Sequence, residues 1–238
     1  MPVLTAENVT AGYGRTPIIN DISLSVDAGA VTTIIGPNGA GKSTFAKTVV
    51  GILRATNGRI TLGDQDITRM PPHQMPRHGL VYVPQNDNVF KTLTVRENLD
   101  VGGYASKGDT AARMEYVLSI FKDLSKATEK RAGNLSGGQQ NLLAIARALM
   151  VEPTVIVLDE PTAGLSPAYT DVVWNQIEGI AQTGTGVLVV EQNVERALKH
   201  ATFVHIFVAG SNHVHGTAAD IASLDLAAIF LGRAGADH

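Results

Sequence analysis

The feature that most constrains the fold of this chain is a nine-residue stretch that reads Gly36-Pro37-Asn38-Gly39-Ala40-Gly41-Lys42-Ser43-Thr44. It fits the pattern Gly-x-x-x-x-Gly-Lys-Ser/Thr and lies between an uncharged, β-branched stretch at residues 31–35 and helical apolar spacing at residues 45–50. The glycines allow the backbone to direct several N–H groups at one set of oxygens, and a helix start adds roughly half a positive charge. We therefore predict that residues 36–44 form a cradle for a polyphosphate.

Two side chains of this cradle indicate nucleotide chemistry. Lys42 is predicted to reach the β- and γ-phosphates, and the Ser43 hydroxyl is predicted to ligate a Mg²⁺ that bridges them. The alternative is a glycine-rich turn with an incidental Lys-Ser pair, and the flanking strand and helix argue against it.

A pair of adjacent carboxylates follows a second apolar stretch, at residues 155–158. Open α/β sheets bind ligands at the carboxyl ends of their strands, where this pair would lie. We predict that Asp159 holds the Mg²⁺, usually through its water shell, and that Glu160 polarises or deprotonates the water attacking the γ-phosphorus. Acidic turns after strands are common, so the pair alone leaves its functional role open.

A second glycine-containing helix start reads Leu135-Ser136-Gly137-Gly138-Gln139 and precedes a helical stretch at residues 140–151. Its Ser hydroxyl and helix N-terminus are again suited to an anionic oxygen. The triphosphate of one ATP does not need two such helix starts from a single chain, so the residues alone leave the role of this second helix start open.

Composition narrows the class of protein. With 238 residues, 44% hydrophobic content and net charge −3, the chain is an ordinary globular protein without a basic block for nucleic acid. The absence of cysteine excludes disulfides and thiolate metal sites and fits a reducing compartment. The longest apolar run covers only residues 226–231, and the start lacks a basic segment followed by an apolar one. We therefore expect an intracellular protein without a membrane span or a secretory signal.

The hydrophobic pattern predicts an α/β fold with an insertion. Alternating stretches at residues 17–29 and 58–67 predict strands of a small antiparallel sheet. Residues 89–151 are predicted to be mainly helical, with one apolar stripe around Met114 and another around Leu142. Uncharged apolar stretches predict a covered parallel sheet with strands at residues 31–35, 155–158, 187–190 and 203–207, and residues 80–83 are predicted to form a further strand.

Helix starts are predicted at two further places. Ser166 and Pro167 are predicted as the cap and first residue of a helix between two of the parallel strands. A capping box at residues 217–220 predicts a last helix that runs through Leu231. Trp174, in the first of these helices, is predicted to pack in the core or against another subunit. His213 and His215 lack a third ligand nearby, so we expect a solvated strand edge there and no metal site.

Four motifs occur in the order found in ATP-binding cassette (ABC) ATPases: residues 36–44, Gln85 after Val83-Pro84, residues 135–140, and Leu158-Asp159-Glu160-Pro161. The chain resembles this family over nearly its whole length. The resemblance implies an α/β fold with a P-loop NTPase core, a mixed, largely parallel sheet, a small antiparallel β subdomain and a helical insertion. It implies one domain over residues 1–238, with a nucleotide-binding core at 1–88 and 152–238 and a helical signature subdomain at 89–151.

The resemblance also implies roles for single residues in ATP hydrolysis. It implies a head-to-tail dimer in which each ATP lies between one subunit's residues 36–44 and the other subunit's Ser136, Gly137, Gly138 and Gln139. Tyr13 matches the aromatic residue that stacks on adenine, although any ring would pack beside its glycine turn. Gln85 matches the glutamine that contacts Mg²⁺ and the attacking water, the alternative being an ordinary exposed loop residue.

Two positions depart from the family's usual pattern. Gln192 stands where a histidine usually contacts the γ-phosphate, and a glutamine amide donates hydrogen bonds but carries no positive charge. This replacement is able to slow hydrolysis at the site that contains Lys42 and Glu160. Ser166 stands where the family often has aspartate, which puts some coupling between subunits in question.

Several short segments look like one ATPase subunit of branched-chain amino-acid ABC importers: Glu191-Gln192-Asn193 and residues 88–90, 93–99, 164–167 and 229–232. This narrower resemblance implies a related, histidine-bearing ATPase partner, transmembrane permease subunits, an indirect link to a solute-binding protein, and a place on the cytoplasmic face of the membrane. A regulatory cassette that binds ATP while its partner hydrolyses it, and an export cassette, remain alternatives. A homodimer or heterodimer, and the solute, also stay open. Soluble cassettes that act on ribosomes or DNA resemble tandem cassettes or chains with long coiled-coil insertions. This sequence has neither feature.

Overall fold

The computed structural model describes residues 1–14, 16–86, 88–106 and 108–230. Ten strands lie in these ranges: β1 (Pro2–Tyr13), β2 (Thr16–Asp27), β3 (Val31–Ile35), β4 (Ala55–Leu62), β5 (Gln65–Asp66), β6 (Leu80–Val83), β7 (Val155–Asp159), β8 (Gly186–Val190), β9 (Phe203–Val208) and β10 (Ser211–Thr217). Nine α-helices lie in the same ranges: α1 (Lys42–Val49), α2 (Val95–Gly102), α3 (Thr110–Ile120), α4 (Lys122–Ser125), α5 (Gly137–Leu149), α6 (Pro167–Gln182), α7 (Val194–His200), α8 (Ala218–Ala222) and α9 (Leu226–Phe230). The α/β fold class is as predicted.

The larger sheet has six strands in the order β10-β9-β3-β8-β7-β6. All neighbouring strands are parallel except β10, which pairs antiparallel with β9 at one edge. Every residue of β3, β7 and β8 is buried, because helices cover this sheet and only uncharged side chains fit between them. The four predicted parallel strands are confirmed, and the further strand predicted at residues 80–83 is β6, which is parallel to β7. Their order brings the carboxyl ends of β3, β6, β7 and β8 to one edge.

The smaller sheet is antiparallel, in the order β2-β1-β4-β5. The prediction of one strand over residues 58–67 is wrong, because β4 ends at Leu62 and β5 pairs back on it, with Thr61 opposite Asp66. Gly63 has a φ of 55° between them, a left-handed conformation that glycine adopts readily in a tight turn.

Strand β1 was not predicted from the sequence, and its backbone explains why. Leu4 and Ala6 are buried and alternate as expected, but the next buried residues are Val9 and Ala11. The pairing with β2 shifts between Ala6 and Val9, where Asn8 has a φ of 51°. This bulge interrupts the period of two from which strands are recognised.

The helices of the insertion pack into one apolar cluster with the parallel sheet. Met114 and Val117 from α3 and Leu142 and Ile145 from α5 are buried in it, as the two predicted stripes require. Helix α2 begins with a capping box, in which the Thr94 hydroxyl accepts from the Glu97 N–H and the Glu97 carboxylate accepts from the Thr94 N–H. The division into a core and a signature subdomain stays a prediction.

The end of the described chain differs from the prediction of one last helix. The capping box at Thr217 and Asp220 starts α8, but this helix ends at Ala222, and α9 begins at Leu226. Between them, the Asp225 carboxylate accepts a hydrogen bond from the Ala228 N–H at 3.0 Å, so this aspartate starts a new helix. Leu231 and the matched segment after it lie outside the described residues. No helix within the described ranges is both long and apolar enough to span a membrane.

Two isolated predictions concern aromatic and imidazole side chains. Trp174 on α6 is 0% exposed and stacks on His200 with ring centroids 5.1 Å apart, which confirms packing in the core. His213 and His215 are exposed on one face of the edge strand β10, as expected for a solvated edge. On β9, directly opposite His215, lies a histidine that the sequence did not single out, His205.

His205 is 3% exposed and stacks on His215, and the Asn212 amide lies 2.9 Å from its Nδ1. Burial, with the neighbouring His215, lowers the pKa of His205 from 6.5 to about 4. Between these two values the unfolded chain binds a proton that the native chain does not, so acidification favours unfolding. Above pH 6.5 neither state holds the proton, and this effect vanishes.

We expect the free energy of unfolding of the wild type to fall by about 2 kcal/mol more than that of His205→Phe between pH 7.5 and pH 5. Phenylalanine keeps an aromatic ring in the hairpin but has no group that titrates. Urea unfolding at both pH values measures the difference, and His213→Phe controls for the loss of an exposed imidazole. Identical pH dependence in the wild type and His205→Phe would contradict this prediction.

Candidate active site

The predicted phosphate cradle lies at the carboxyl end of β3 and runs into α1. A Cβ atom on Gly36 would lie 2.2 Å from the Phe207 carbonyl oxygen, so only glycine fits against the neighbouring strand. Gly41 has a φ of 92° and caps α1, whose first N–H groups have no carbonyl partners within the helix. The loop and the first residues of α1 therefore line one cleft, which residues 38–44 border.

Lys42 lies inside the arch of this loop. Its ammonium donates to the carbonyl oxygens of Gly36 at 2.8 Å and Pro37 at 3.1 Å, and the residue is 5% exposed. Burial lowers the pKa of Lys42, while the carboxylates of Glu160, Asp159 and Glu191 oppose this shift. The loop therefore holds the Lys42 ammonium at the place where phosphates are predicted to bind.

Asp159 and Ser43 meet as predicted, and a third oxygen joins them. The Ser43 hydroxyl donates to Oδ1 of Asp159 at 2.9 Å, and the Tyr82 hydroxyl donates to Oδ2 at 2.8 Å. Burial, followed by the Asp159 carboxylate, raises the pKa of Tyr82, so the phenol stays a donor. Sequence reasoning missed Tyr82, and the only signal for it was a hydroxyl on the strand next to β7.

The donor set of this cluster suits a hard cation. Its side-chain ligands are oxygens, and Mg²⁺ is usually held by one or two carboxylates together with phosphate oxygens and water. Within the part of the chain that the structure describes, no group of three His, Cys, Asp or Glu side chains could hold a metal ion by itself. The residues therefore fit a magnesium ion that arrives with a nucleotide.

Glu160 is held by two amides that come from two other strand ends. Gln85, after β6, donates to its Oε2 at 2.6 Å, and Gln192, after β8, donates to its Oε1 at 2.5 Å. The backbone of Glu160 has a φ of 49°, and its N–H donates to the Val190 carbonyl at 2.9 Å. A non-glycine residue in this region is uncommon and occurs often at functional sites. The structure thus brings together three predicted catalytic residues.

Tyr13 ends β1 and lines the same cleft as residues 38–44 and Glu160. Its side chain is not packed in the core, because the residue is 57% exposed. An exposed ring at the mouth of a phosphate-binding cleft is available to stack on a base. Adenine stacking by Tyr13 stays a prediction.

The start of α5 carries the four residues predicted to contact ATP of another subunit, Ser136, Gly137, Gly138 and Gln139. We call them the signature residues. The Ser136 hydroxyl accepts from the Gln139 N–H at 3.3 Å, and the Gln139 side chain accepts from the Ser136 N–H at 3.1 Å. A Cβ atom on Gly138 would lie 2.1 Å from Cδ1 of Tyr169 on α6, so close packing requires glycine there. The phosphate loop, residues 36–44, borders a cleft in the described part of the chain. None of the four signature residues lines that cleft as the described residues define it.

A chain of amide hydrogen bonds, which the sequence did not reveal, joins two loops of the site through helix α5. The Asn88 amide donates to Oδ1 of Asn141 on α5 at 3.1 Å, and the Asn141 amide donates to the Pro161 carbonyl at 2.9 Å. Asn88 follows Gln85, and Pro161 follows Glu160. Helix α5, which begins with the signature residues, is therefore hydrogen-bonded to the segment after Gln85 and to the segment after Glu160.

Ser166 occupies the predicted N-cap position of α6, with Pro167 as the first helical residue. Its side chain makes no capping hydrogen bond to that helix, and the residue is exposed. The structure therefore gives Ser166 no structural task that would explain why it stands where aspartate is more usual.

This arrangement of a phosphate loop, a glutamate held by two amides, and a signature helix whose first residues lie outside the cleft can be compared with known proteins. A protein-family model described as "ABC transporter" matches residues 19–163, more than half of the 238-residue chain. The chain belongs to the ABC transporter family. The cassette is an ATPase subunit of that family, and its nucleotide-binding fold is shared with solved cassettes.

Relatives of the cassette include proteins named for branched-chain amino acid transport and one named for lipopolysaccharide export. It is 36% identical over 221 residues to the "Probable branched-chain amino acid transport ATP-binding protein LivF" of Archaeoglobus fulgidus, covering 92% of this chain and 94% of that one. It is 38% identical over 218 residues to the "High-affinity branched-chain amino acid transport ATP-binding protein BraG" of Pseudomonas aeruginosa, covering 91% and 94%. It is 34% identical to the "Lipopolysaccharide export system ATP-binding protein LptB" of Escherichia coli K12, covering 93% of each chain.

Solved structures agree with this family and fold. The ADP conformation of an ATP-binding cassette of an ABC transporter superimposes with a TM-score of 0.88 at 30% sequence identity, covering 98% of this chain and 99% of that chain. A nucleotide-free cassette superimposes with a TM-score of 0.87 at 29% identity, covering 97% and 99%. The cassette thus has the fold of proteins crystallised with and without nucleotide.

Proposed function

We propose that this cassette is the ATP-hydrolysing subunit of an ABC importer for branched-chain amino acids or related small polar solutes. The observation that carries the hydrolytic part is the clamp on Glu160, whose carboxylate is held by Gln85 and Gln192 beside the phosphate loop. The importer part is supported by the two branched-chain amino acid transport relatives.

Hydrolysis in this proposal depends on charge and on position. Lys42 and the N–H groups of the phosphate loop neutralise the charge that develops on the transferring phosphoryl group. Glu160 accepts a hydrogen bond or a proton from the attacking water, and the amides of Gln85 and Gln192 aim its two oxygens. Because Gln192 is neutral, it donates a hydrogen bond without adding positive charge to the site.

Magnesium fits this proposal because its ligands are already grouped. Ser43 and Asp159 would hold the ion next to the β- and γ-phosphates, and the Gln85 side chain would add an amide oxygen. The ion supplies neutralisation of phosphate charge when bound. Tyr82 keeps the Asp159 carboxylate oriented toward Ser43.

The location of the signature residues supports a dimer. Ser136 and Gly137 begin a helix whose N-terminus is suited to phosphate, yet these residues do not line the described cleft of their own chain. A head-to-tail pair would place them against the nucleotide held by residues 36–44 of the other subunit. Whether the second subunit is a copy of this chain or a histidine-bearing relative decides how the two sites share hydrolysis.

A groove between β6, α2 and α5 is our candidate for the surface that receives a segment of the membrane permease. Tyr104 and Val101 both line it and are 86% and 46% exposed, and apolar side chains grouped in a groove are typical of protein-binding surfaces. Strand β6 forms one wall and leads directly to Gln85, so an occupant would be linked to the clamp on Glu160. This contact would place the cassette on the cytoplasmic face of the membrane.

The test compares solutes in proteoliposomes that contain the cassette, its permease and an ATPase partner. We expect ATP turnover to rise when branched-chain amino acids and their binding protein are supplied on the opposite side. Stimulation by lipopolysaccharide alone would instead support an export system, as in the relative from Escherichia coli.

One observation favours a regulatory role, since Gln192 replaces a side chain able to carry charge. In that case the cassette would bind ATP while its partner hydrolyses it. Turnover by the isolated cassette, compared with turnover in the presence of a histidine-bearing partner, separates the two roles. Robust hydrolysis by the cassette alone would contradict the regulatory role.

A further inference from the structure

Glu191 is a buried carboxylate for which the hydrolytic mechanism above has no use. It follows β8 and is 4% exposed. One of its oxygens accepts a hydrogen bond from the Thr162 hydroxyl, and Thr162 is itself 8% exposed. The other oxygen accepts from the backbone N–H groups of Gln192 at 2.9 Å and Asn193 at 3.3 Å.

A buried carboxylate is costly unless its oxygens are paired, and these three donors pair both of them. The donors come from two different loops. Thr162 stands two residues after Glu160, whereas Gln192 and Asn193 belong to the loop that opens α7. The carboxylate therefore joins the loop that carries Glu160 to the loop that carries Gln192.

A second contact joins the helices that follow these two loops, α6 and α7. Arg196 on α7 forms an ion pair with Asp171 on α6, and the Asn193 side chain caps α7 by accepting from the Arg196 N–H at 3.0 Å. Asp171 is about half exposed, so this pair is the weaker of the two links. The buried Glu191 link is the one that lies next to the clamp.

We propose that Glu191 is a positioning residue that sets the reach of the Gln192 amide to Glu160 by locking the Gln192 loop to Thr162. The inference rests on the proposed role of Glu160 and Gln192 in hydrolysis. Loss of the Thr162 hydroxyl leaves one Glu191 oxygen without a partner and lets the two loops separate. Gln192 then no longer aims the Glu160 carboxylate, although the phosphate loop is untouched.

The matched variants are Thr162→Val, which keeps the branched shape but lacks the hydroxyl, and Thr162→Ser, which restores it. In the assembly where the wild type hydrolyses ATP, we expect Thr162→Val to lower kcat about tenfold with KM changed less than about twofold. Thr162→Ser should restore kcat to within about twofold. Thermal unfolding of each variant checks that the measured protein is folded.

The decisive comparison repeats Thr162→Val in a Gln192→Ala background. If Glu191 acts through Gln192, Thr162→Val should change kcat less than about twofold there, because the side chain being positioned is gone. Two losses that multiply would overturn the inference, as would equal kcat for Thr162→Val and Thr162→Ser, or a Gln192→Ala variant as active as the wild type. A wild type without ATP turnover in any assembly would overturn the proposed function, and this inference with it.

Discussion

Glu160→Gln should bind ATP with an affinity within about threefold of the wild type and turn it over at least about a hundredfold more slowly. Glutamine keeps the size of the side chain and can still accept a hydrogen bond from one of the two amides of Gln85 and Gln192, but it is a poor proton acceptor. The nucleotide contacts of Lys42 and the phosphate loop stay intact, which is why affinity is retained. Calorimetry measures binding, and phosphate release measures turnover.

The matched control for this variant is Glu115→Gln, an exposed glutamate on α3 that takes no part in the site. It makes the same chemical change and should leave turnover at the level of the wild type. If Glu160→Gln also hydrolysed ATP at the wild-type rate, Glu160 could not be the residue that activates water.

Lys42→Met should weaken ATP binding by roughly thirty- to a hundredfold, because a charged hydrogen-bond donor at the phosphates is worth about 2–3 kcal/mol. The ammonium is held ready by the Gly36 and Pro37 carbonyls, so little ordering is needed when the nucleotide binds. Methionine has a similar length and fills the arch without the charge. Titration of a fluorescent ATP analogue measures the affinity.

Lys47→Met, on the last turn of the same helix, is the control for this prediction. It removes a cation of the same kind at a position that does not line the cleft of the described structure. Thermal unfolding should show that both variants are folded. Equal ATP affinity in Lys42→Met and Lys47→Met would rule out direct recognition of phosphate by Lys42.

Sequence reasoning succeeded where chemistry is local and periodicity is uninterrupted. The strand at residues 155–158 was recognisable because burial on both faces permits only apolar side chains there. It failed where a short backbone irregularity changes the period, as at Asn8 in β1, or where a turn divides an alternating stretch, as at Gly63. The break between α8 and α9 depends on Asp225, which caps α9. In the sequence, this aspartate looks like one more polar residue within a helix.

Contacts between distant parts of the chain could not be predicted from the sequence. Tyr82, the pair of Asn88 and Asn141, and the packing of Tyr169 on Gly138 each join segments far apart in the chain. Their side chains are ordinary polar or aromatic types that occur throughout any protein. Only the tertiary structure brings them together, because the strand order and the packing of the helices decide which segments become neighbours.

The sequence by itself determined the phosphate loop, the paired carboxylates, the signature helix start and membership of a known type of ATPase, because each depends on residue types at fixed spacing. The tertiary structure alone decided that Gln85 and Gln192 clamp Glu160 and that Glu191 joins their loops. The physical reason is that hydrogen bonds act over about 3 Å. Residues distant in the chain come that close only after the parallel strands have aligned their carboxyl ends.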